Sequence, residues 1–587
     1  MERRTFLSGT AIALTAAAAP ASAGAQPSTQ APAGALPASG RQGRHQIVDV
    51  LEAQGLTHVF GVPGAAIDPI VDAMIGRKVQ MVHAAHEANA AFMAGAFGRI
   101  TGRPTACMST SGPGATNLAA GVVCSTAEGD PVVAITGEPP RSLGWRIGNQ
   151  NVNATAVFTP VTKSSVGVEA STDILPILAN AFRIASMPRQ GAAHVAIPLD
   201  VTMAAADPGQ PITLPDPPFG VSPPEQVREA ARLFREAKLP VVLVGRMGGA
   251  PAAARALRSL LSRTPIPVVE VFEGAGALSR AHASSFVGRV GDHANQPGDA
   301  LLAIADTILT VGFELSEYDP TLWLRGSRAR VIHLSSVAAI VTRDYRPVVE
   351  LRGDIAGNLE ALSAMLPALP GIDWVPVREA QKQLAGFMNA IEPAGPGVSP
   401  VAFIRALREA VGDDTTVVSD VGSTGLWMIR NFLAFEPRRL LVDSKGWGAL
   451  GTGLPKAIGT CFARPGEKVV CITGDGSFLM GGMEMQTAAR LKLPIVQFIW
   501  QDGTYNLVEI ASRKAFGRWD GFAFRHMDIP AFATAFGARG FRIDSNDDIR
   551  PVIARALAAD GPVMVEVRVD YSANSALIAQ SRITYAH

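Results

Sequence analysis

The sequence has 587 residues, of which 48% are hydrophobic and 18% are charged. That length exceeds what one hydrophobic core normally supports, so we expect several globular domains, most simply three. The 52 basic and 51 acidic residues give a formal net charge of +1, without a long run of one sign. This balance argues against a surface that follows nucleic-acid phosphates, and it makes small molecules the expected partners.

The first 25 residues have the pattern of an export signal. Arg3–Leu7 begins with two arginines, Gly9–Ala19 is apolar, and Ala21–Ala25 offers small residues for cleavage. The segment resembles a twin-arginine signal, which implies a bacterial periplasmic protein; the alternative is an alanine-rich tail on a cytoplasmic protein. No other apolar run is long enough to span a bilayer, so we expect a mature protein without membrane association.

Four cysteines, Cys107, Cys124, Cys461 and Cys471, are spread along the chain. They form no CxxC pair and no His/Cys cluster with zinc spacing. We therefore expect buried structural thiols.

Proline-rich stretches divide the rest of the chain. Pro208–Pro224 and Pro393–Pro400 are rich in residues that break helices and strands, and 26–43 is typical of a flexible spacer. The predicted divisions are a signal and linker at 1–43, an N-terminal domain at 44–207, a central domain at 223–368 and a C-terminal domain at 399–587.

Helical and strand-like segments alternate in each division. The predicted helices are Gln46–Gln54, Pro251–Arg263 and Gly482–Leu491, and the predicted strands are Thr57–Phe60, Pro131–Thr136, Pro240–Gly245, Pro267–Phe272, Asp306–Gly312, Arg330–Leu334, Lys468–Thr473 and Pro494–Trp500. Such alternation predicts an α/β fold of three doubly wound parallel-sheet domains, with right-handed crossovers.

The segment Gly474-Asp475-Gly476-Ser477 follows a predicted strand and precedes the helix predicted from Gly482. The carboxyl ends of parallel strands are the usual ligand sites of such sheets. The glycines allow close approach of the backbone to a phosphate group, and helix-end N–H groups favour its negative charge. Asp475 adds a hard oxygen ligand for a metal ion.

A second polar turn, Gln501–Asn506, lies one strand later, and its Asp502 is 27 positions beyond Asp475. One βαβ passage brings the two turns to the same sheet edge. Magnesium takes one or two carboxylates together with phosphate oxygens and water. Asp475, Asp502 and the carbonyl of Thr504 fit that need, although a single GDG triplet is also an ordinary turn.

The paired turns resemble the thiamine-diphosphate-dependent decarboxylase and carboligase superfamily. Asp502 followed by Tyr505-Asn506 is closest to the FAD-independent, catabolic acetolactate synthases, whereas many members carry Asn at that place. The resemblance implies thiamine diphosphate (ThDP) and Mg²⁺ as cofactors, with pyrimidine-binding, central and diphosphate-binding domains. It places at the cofactor Gly474, Asp475, Gly476, Ser477, Asp502, Thr504 and Tyr505, with Asp475, Asp502 and Thr504 on the metal.

The N-terminal division carries further matching segments. His86–Ala91 is similar to the family's HEANAA segment, in which the glutamate contacts the aminopyrimidine ring, so Glu87 is the predicted catalytic residue. A carboxyl held there favours the imino tautomer, which can remove the C2 proton of the thiazolium. Gly61-Val62-Pro63-Gly64 and Ser111–Asn117 resemble family turns beside the cofactor, which places Gly61, Pro63 and Gly64 there.

Four further residues are assigned by the resemblance. Gln150 and His86 could polarise the substrate, while a satisfied, partly buried imidazole is the alternative for His86. In Gly446–Pro455, Gly448 supports the bent cofactor and Leu450 would separate its two rings, unless Leu450 is a plain core residue.

The resemblance covers His45 to Ile578 and implies decarboxylation and carboligation of 2-oxo acids, with two pyruvate molecules giving acetolactate and CO₂. Polar Asn149 and Asp292-His293 depart from the catabolic synthases and leave the substrate open. A 2-oxo acid decarboxylase, an FAD-dependent oxidase or a non-catalytic ThDP-binding protein are the alternatives; no separate flavin fingerprint is present. A homodimer or homotetramer is implied, with Glu87 of one chain reaching the cofactor of another.

Overall fold

The computed structural model describes residues 40–143, 148–206, 209–214, 219–291, 296–369, 371, 373–389, 397–443, 446–521 and 523–577. Within these ranges the chain forms three sheets of six strands each, and every pair of neighbouring strands is parallel. Helices cover the sheets, and buried aliphatic residues of the strands form the cores. The predicted fold of three doubly wound α/β domains is confirmed.

The N-terminal sheet has the strand order β2-β1-β3-β4-β6-β5. Its strands are β1 (His58–Val62), β2 (Gln80–His83), β3 (Thr105–Ser109), β4 (Val132–Glu138), β5 (Ser164–Gly167) and β6 (Ala192–Pro198). Its helices are α1 (Gly43–Ala53), α2 (Asp68–Ala73), α3 (Glu87–Thr101), α4 (Pro113–Glu128), α5 (Ala154–Phe158), α6 (Ile174–Ser186) and α7 (Leu199–Met203).

The central sheet has the order β12-β11-β10-β7-β8-β9. Its strands are β7 (Pro240–Val244), β8 (Val268–Val271), β9 (Phe286–Val290), β10 (Thr307–Val311), β11 (Arg330–Ser335) and β12 (Val349–Arg352). The helices in this part of the chain are α8 (Pro224–Glu236), α9 (Pro251–Arg263), α10 (Pro297–Ile304), α11 (Pro320–Trp323), α12 (Ile355–Met365) and α13 (Val375–Asn389).

The C-terminal sheet repeats the N-terminal arrangement, in the order β14-β13-β15-β16-β18-β17. Its strands are β13 (Thr416–Ser419), β14 (Leu440–Val442), β15 (Val469–Gly474), β16 (Ile495–Gln501), β17 (Arg539–Ile543) and β18 (Val563–Arg568). Its helices are α14 (Pro400–Ala410), α15 (Ser423–Asn431), α16 (Gly453–Ala463), α17 (Asp475–Gly481), α18 (Met485–Arg490), α19 (Asn506–Phe516), α20 (Ile529–Ala535), α21 (Ile549–Ala558) and α22 (Asn574–Leu577).

The N- and C-terminal domains pack through α3 and α16, whose side chains share one buried cluster. The contact depends on a glycine. A Cβ on Gly459 would lie 2.1 Å from the carbonyl oxygen of Met93, so a larger residue would force the helices apart. This close approach fixes the position of α3, the helix that begins with Glu87.

Several predicted elements differ from the structure. The helix predicted at Gly482–Leu491 is α18 (Met485–Arg490), which follows a 3₁₀ turn at Gly482–Glu484 and a separate helix, α17, that begins at Asp475. The glycine pair Gly481-Gly482 weakens helical continuity there. Ten of the eighteen strands within the described ranges were not named in advance, and two of these, β9 and β12, are short and contain charged residues. The exact domain boundaries stay a prediction.

Two further expectations concern the cysteines and membrane-spanning segments. All four cysteines are free and buried, as predicted. No helix within the described ranges is long and apolar enough to cross a membrane. The proposed export signal lies in residues 1–39, outside the described residues.

Candidate active site

Two aspartates meet at the carboxyl ends of β15 and β16. The backbone N–H groups of Asp502 and Gly503 donate to Asp475 Oδ2 at 3.1 and 2.8 Å, and the N–H of Gly476 donates to Oδ1 at 2.8 Å. The βαβ passage therefore brings the two predicted turns together, 27 residues apart in sequence. The backbone amides hold Asp475 in one orientation at the start of α17.

Asp502 is the less compensated of the pair. Burial, followed by the negative charge of Asp475, raises the pKa of Asp502 to about 7, although hydrogen bonds from Thr504 and Asn506 act in the opposite direction. Its Oδ2 atom is buried and accepts no hydrogen bond from any described residue. An orphaned carboxylate oxygen beside a second carboxylate is suited to a cation, because a buried charge otherwise goes uncompensated.

The donor set fits magnesium. Within the described ranges no group of three or more His, Cys, Asp and Glu side chains converges. A metal ion here would therefore rely on two carboxylates together with carbonyl, phosphate and water oxygens, which is the coordination that Mg²⁺ accepts. Asp475 and Asp502 fit this role, and the predicted carbonyl ligand of Thr504 lies two residues from Asp502.

The second turn also shapes the glycine-rich segment. The ring of Tyr505 lies over Gly476, where an added Cβ would come within 2.5 Å of Cε1. The hydroxyl of Thr504 donates to Glu509 Oε2 at 3.0 Å, and the Nδ2 group of Asn574 donates to Asn506 Oδ1 at 2.6 Å. The turn is thus fixed from both sides.

The loop 420–424 after β13 was not among the predicted site segments. Its Gly422 has φ +115°, and the Ser477 hydroxyl donates to the Val421 carbonyl at 3.4 Å. The Thr424 hydroxyl lies 3.8 Å from where a Cβ on Gly474 would be. Because the strand order reverses between β13 and β15, this loop forms the other wall of the ligand crevice. A glycine between a strand and a helix was the available signal.

Asp420 starts that loop and is fully buried. Burial raises its pKa to about 7, while N–H groups of Gly453 and Val421 donate to its carboxylate, each at 2.8 Å. Its oxygens are therefore used to join β13 to α16 and are not left for a ligand.

The segment with Gly448 and Leu450 lies beside α17. Gly448 has φ +70° and open space around it, and a Cβ on Gly451 would come within 2.7 Å of Met480 Cβ. Leu450 is partly buried. The structure thus places this segment next to the glycine-rich turn, and the choice between a Leu450 that separates the cofactor rings and a plain core Leu450 stays a prediction.

Glu87 begins α3 at the carboxyl edge of the N-terminal sheet. The Nδ2 group of Asn117 donates to its Oε2 at 3.1 Å, and its Oε1 lies 3.4 Å from where a Cβ on Gly114 would be. A Cβ on Gly64 would meet Thr110, which also borders Gly114. The structure therefore brings Glu87 together with the two predicted glycine turns, but leaves it partly exposed.

Gln150 lies beside the glycine-rich turn that begins at Ser111, close to Glu87. Its backbone has φ +60°, and its Cα lies 2.7 Å from where a Cβ on Gly112 would be. The Ser111 hydroxyl donates to Gln150 Oε1 at 3.5 Å. The left-handed backbone of a non-glycine residue is unusual and frequent at functional sites. The neighbouring Asn149 is exposed, and Asp292-His293 lie outside the described residues.

His86 caps α3. Its Nδ1 atom accepts a hydrogen bond from the Ala88 N–H at 3.1 Å, and its side chain is exposed. Nε2 is left for other contacts, and the choice between a group that polarises the substrate and a satisfied, partly buried imidazole stays a prediction. Gly61 is a packing residue, since a Cβ would lie 2.4 Å from the Met108 carbonyl oxygen. Pro63 lies in the turn that links Gly61 to Gly64.

Comparison with protein families matches all three domains. The thiamine pyrophosphate enzyme N-terminal TPP binding domain matches residues 41–156, the central domain matches residues 227–363, and the C-terminal TPP binding domain matches residues 420–567. The chain belongs to the thiamine pyrophosphate enzyme family. The two aspartates lie within the C-terminal match, and Glu87 lies within the N-terminal one.

Individual relatives narrow the family. The acetolactate synthase of Bacillus subtilis is 41% identical over 91% of this chain and 94% of its own length. The catabolic acetolactate synthase of Raoultella terrigena is 37% identical over 92% of this chain and 97% of its own length. A probable acetolactate synthase large subunit of Methanocaldococcus jannaschii is 30% identical over 90% of this chain. The chain is thus a thiamine-diphosphate-dependent enzyme of the acetolactate synthase type.

Proposed function

We propose that this enzyme, with ThDP and Mg²⁺, decarboxylates a 2-oxo acid and joins the remaining fragment to a second 2-oxo acid, most simply two pyruvates to acetolactate and CO₂. The observation that carries the proposal is the buried, unpartnered Asp502 Oδ2 beside Asp475. The extended identity to acetolactate synthases supports the choice of reaction.

The roles of the residues follow from their placement. Asp475, Asp502 and the Thr504 carbonyl would hold Mg²⁺, and the backbone around Gly474–Ser477 would receive the diphosphate. ThDP, when bound, supplies a carbanion at its thiazolium C2 and accepts the electrons released as CO₂ leaves. Glu87 would hold a proton at the pyrimidine ring nitrogen, and Gln150 would orient the substrate. His86 would contact the substrate through Nε2, because its Nδ1 already caps α3.

The central domain favours a synthase over an FAD-dependent oxidase. At its strand-order reversal, between β7 and β10, the N–H groups of Arg246 and Glu314 donate to the buried carboxylate of Glu317 at 2.6 and 2.8 Å. A Cβ on Gly245 would lie 2.4 Å from Phe313 Cα. A dinucleotide would need this crevice open and its amides available. We therefore propose that FAD is not a cofactor, and flavin absorbance of the purified protein tests this.

We further propose that the active site is shared between two chains of a homodimer, with Glu87 of one chain facing Asp475 of the other. Apolar side chains beside the glycine-rich turn support this, since Leu479, Met480 and Met483 are more than half exposed at 53%, 54% and 56%. Exposed apolar groups in one place indicate a surface that another protein surface covers. Size-exclusion chromatography with light scattering distinguishes a monomer, a dimer and a tetramer.

We also propose export by the twin-arginine route, on the basis of Arg3-Arg4 and the apolar segment after them. Fractionation of bacteria that express the full chain tests it. The wild-type protein is expected in the periplasm, and the Arg3→Lys, Arg4→Lys double variant is expected in the cytoplasm. Equal distribution of the two proteins would contradict export by this route.

The decisive experiment is incubation of the mature chain with ThDP, Mg²⁺ and pyruvate, with CO₂ release followed and the product identified by mass. Acetolactate is the expected product. Acetaldehyde instead would show a decarboxylase, and absence of turnover with any of a series of 2-oxo acids would contradict the proposal. Glu87→Gln is expected to reduce kcat by about 100-fold or more while cofactor affinity changes little, as general acid–base residues contribute ~10²–10⁴-fold.

A further inference from the structure

A buried glutamate of the C-terminal domain contacts the first turn of α3. Glu484 ends the 3₁₀ turn after α17, and none of its surface is exposed. The residue lies nine positions beyond Asp475, in the segment that follows the glycine-rich turn. It therefore connects the segment that would bind the diphosphate with the helix that carries Glu87.

Its carboxylate accepts hydrogen bonds from four donors. The N–H groups of Ala85 and His86 and the Nδ2 group of Asn89 donate to Oε1 at 2.8, 3.3 and 2.9 Å. The hydroxyl of Thr487 donates to Oε2 at 2.8 Å. Three of these donors are N–H groups, which can only donate, and the carboxylate lies at the positive end of the α3 dipole.

These donors surround Glu87 in sequence. Ala85 and His86 precede it, and Asn89 follows two positions later, whereas the Glu87 side chain itself contacts Asn117. Two of the donors to Oε1 are backbone N–H groups just before α3, and the third is the buried side chain of Asn89 in the first turn of α3. Their common acceptor therefore fixes where that turn starts and in which direction the Glu87 carboxyl points.

We propose that Glu484 is a positioning residue for Glu87: it caps α3 from the neighbouring domain and so sets the geometry of proton transfer to the cofactor. This inference rests on the proposed function, in which Glu87 contacts the aminopyrimidine. A misplacement of about 1 Å at a catalytic group can lower a rate by roughly 100-fold.

General docking of the domains is a separate role, and a nearby residue isolates it. The Arg490 guanidinium donates to the His83 carbonyl at 2.9 Å, so it also joins the C-terminal domain to this region, but it does not contact the first turn of α3. Arg490→Ala is therefore a control for the loss of a domain contact. Thr487→Val is a second control, because it removes the hydrogen bonds of the Thr487 hydroxyl to Glu484 Oε2 and to the His83 carbonyl but leaves Oε1 with its three donors.

The first measurement uses the protein without cofactor. Hydrogen–deuterium exchange of a peptide that spans residues 84–92 reports on the amides that Glu484 holds. Exchange there is expected to be at least about tenfold faster in Glu484→Ala than in the wild type, because two amide hydrogens lose their acceptor. Glu484→Gln keeps an acceptor oxygen of the same length and is expected to remain protected, as are Arg490→Ala and Thr487→Val. Unchanged exchange in Glu484→Ala would overturn the proposal.

The second measurement uses the protein loaded with ThDP and Mg²⁺. The rate of C2–H/D exchange of bound ThDP and kcat are expected to fall together by roughly 10–100-fold in Glu484→Ala. KM and cofactor affinity are expected to stay within about threefold, since no binding group is removed. Glu484→Gln is expected to restore most of the rate. An equal loss in Arg490→Ala, or a Glu484→Gln variant as slow as Glu484→Ala, would show domain docking or charge as the cause and would overturn the proposal.

A double variant separates this inference from the proposed function. If Glu484 acts through Glu87, the Glu87→Gln, Glu484→Ala variant is expected to be no slower than Glu87→Gln alone. A further loss would overturn the positioning role. A Glu87→Gln variant with normal C2 exchange would instead contradict the proposed function, whatever the result for Glu484.

Discussion

The central and C-terminal sheets both reverse their strand order next to buried carboxylates, yet only the C-terminal edge is suited to a ligand. In the central domain Glu317 accepts hydrogen bonds from two backbone N–H groups, and a Cβ on Gly245 would lie 2.4 Å from Phe313 Cα, two residues after β10. In the C-terminal domain Asp502 keeps one buried oxygen without a partner among the described residues. The difference shows that the position in the fold supplies a crevice, and that the side chains decide whether it stays open.

The largest expected effect is loss of metal-dependent cofactor binding at the C-terminal edge. Asp502→Ala and Asp475→Ala are expected to weaken binding of ThDP with Mg²⁺ by more than about 100-fold. Loss of a residue that only hydrogen-bonds a metal ligand typically lowers metal affinity by ~10–100-fold, and loss of a ligand itself is expected to cost more. Isothermal titration calorimetry measures the affinity of each variant for ThDP in the presence of Mg²⁺. The matched control is Glu317→Gln, a buried carboxylate at the equivalent edge of the central sheet, which is expected to bind normally. A similar loss in Glu317→Gln would contradict the contrast between the two edges.

The second prediction concerns how a complete site is built. Glu87→Gln and Asp475→Ala are each expected to be inactive, but co-expression of the two with different tags is expected to restore about a quarter of the wild-type activity, because half of a random mixture is heterodimer with one intact site of two. Activity of the co-expressed mixture measures this recovery, and the purified heterodimer is expected to have about half of the wild-type activity, because one of its two sites is intact. No recovery would contradict a site shared between chains.

The third prediction contrasts two glycines. Gly245→Ala would place a Cβ 2.4 Å from the backbone of Phe313, so it is expected to destabilise the protein by ~1–3 kcal/mol without changing cofactor affinity. Gly474→Ala would place a Cβ 3.8 Å from the Thr424 hydroxyl, in ordinary contact. It is expected to leave the melting temperature unchanged and to weaken cofactor binding. Thermal melting of the protein without cofactor, together with calorimetry, separates the two. Weakened cofactor binding in Gly245→Ala, or a lowered melting temperature with normal binding in Gly474→Ala, would contradict the placement of the cofactor at the C-terminal sheet edge.

The smallest effect concerns the stability contributed by Glu317. Burial, followed by the charge of Glu273, raises the pKa of Glu317 to about 8 from an ordinary value of 4.5. Because the folded state holds the proton more tightly, the stability from this group is complete below pH 4.5 and is lost as pH rises to about 8. The melting temperature of the wild type relative to Glu317→Gln is therefore expected to fall by a few °C between pH 5 and pH 8.5. A constant difference would contradict the raised pKa.

Several features of the site could be predicted from the sequence because they depend on residues close in the chain. Asp475 and Asp502 flank one βαβ passage, whose geometry is nearly fixed, so their meeting followed from spacing alone. Glu87 was found through its HEANAA segment, and the turns at Gly64 and Gly114 through their glycines. Asp420 and Thr424 were missed, because a strand followed by Gly422 is a common pattern.

The sequence by itself determined the alternation of helices and strands and the two acidic turns, since these follow from local periodicity and from residues within one βαβ unit. The family followed from the resemblance of motifs such as Gly474–Ser477 and His86–Ala91 to known segments. Tertiary structure decided which groups keep free oxygens. Glu317 and Asp502 are both acidic residues near strand ends, and only their backbone neighbours distinguish a filled crevice from an open one. The contact of Glu484 with the start of α3 joins residues about 400 positions apart, for which no local pattern exists.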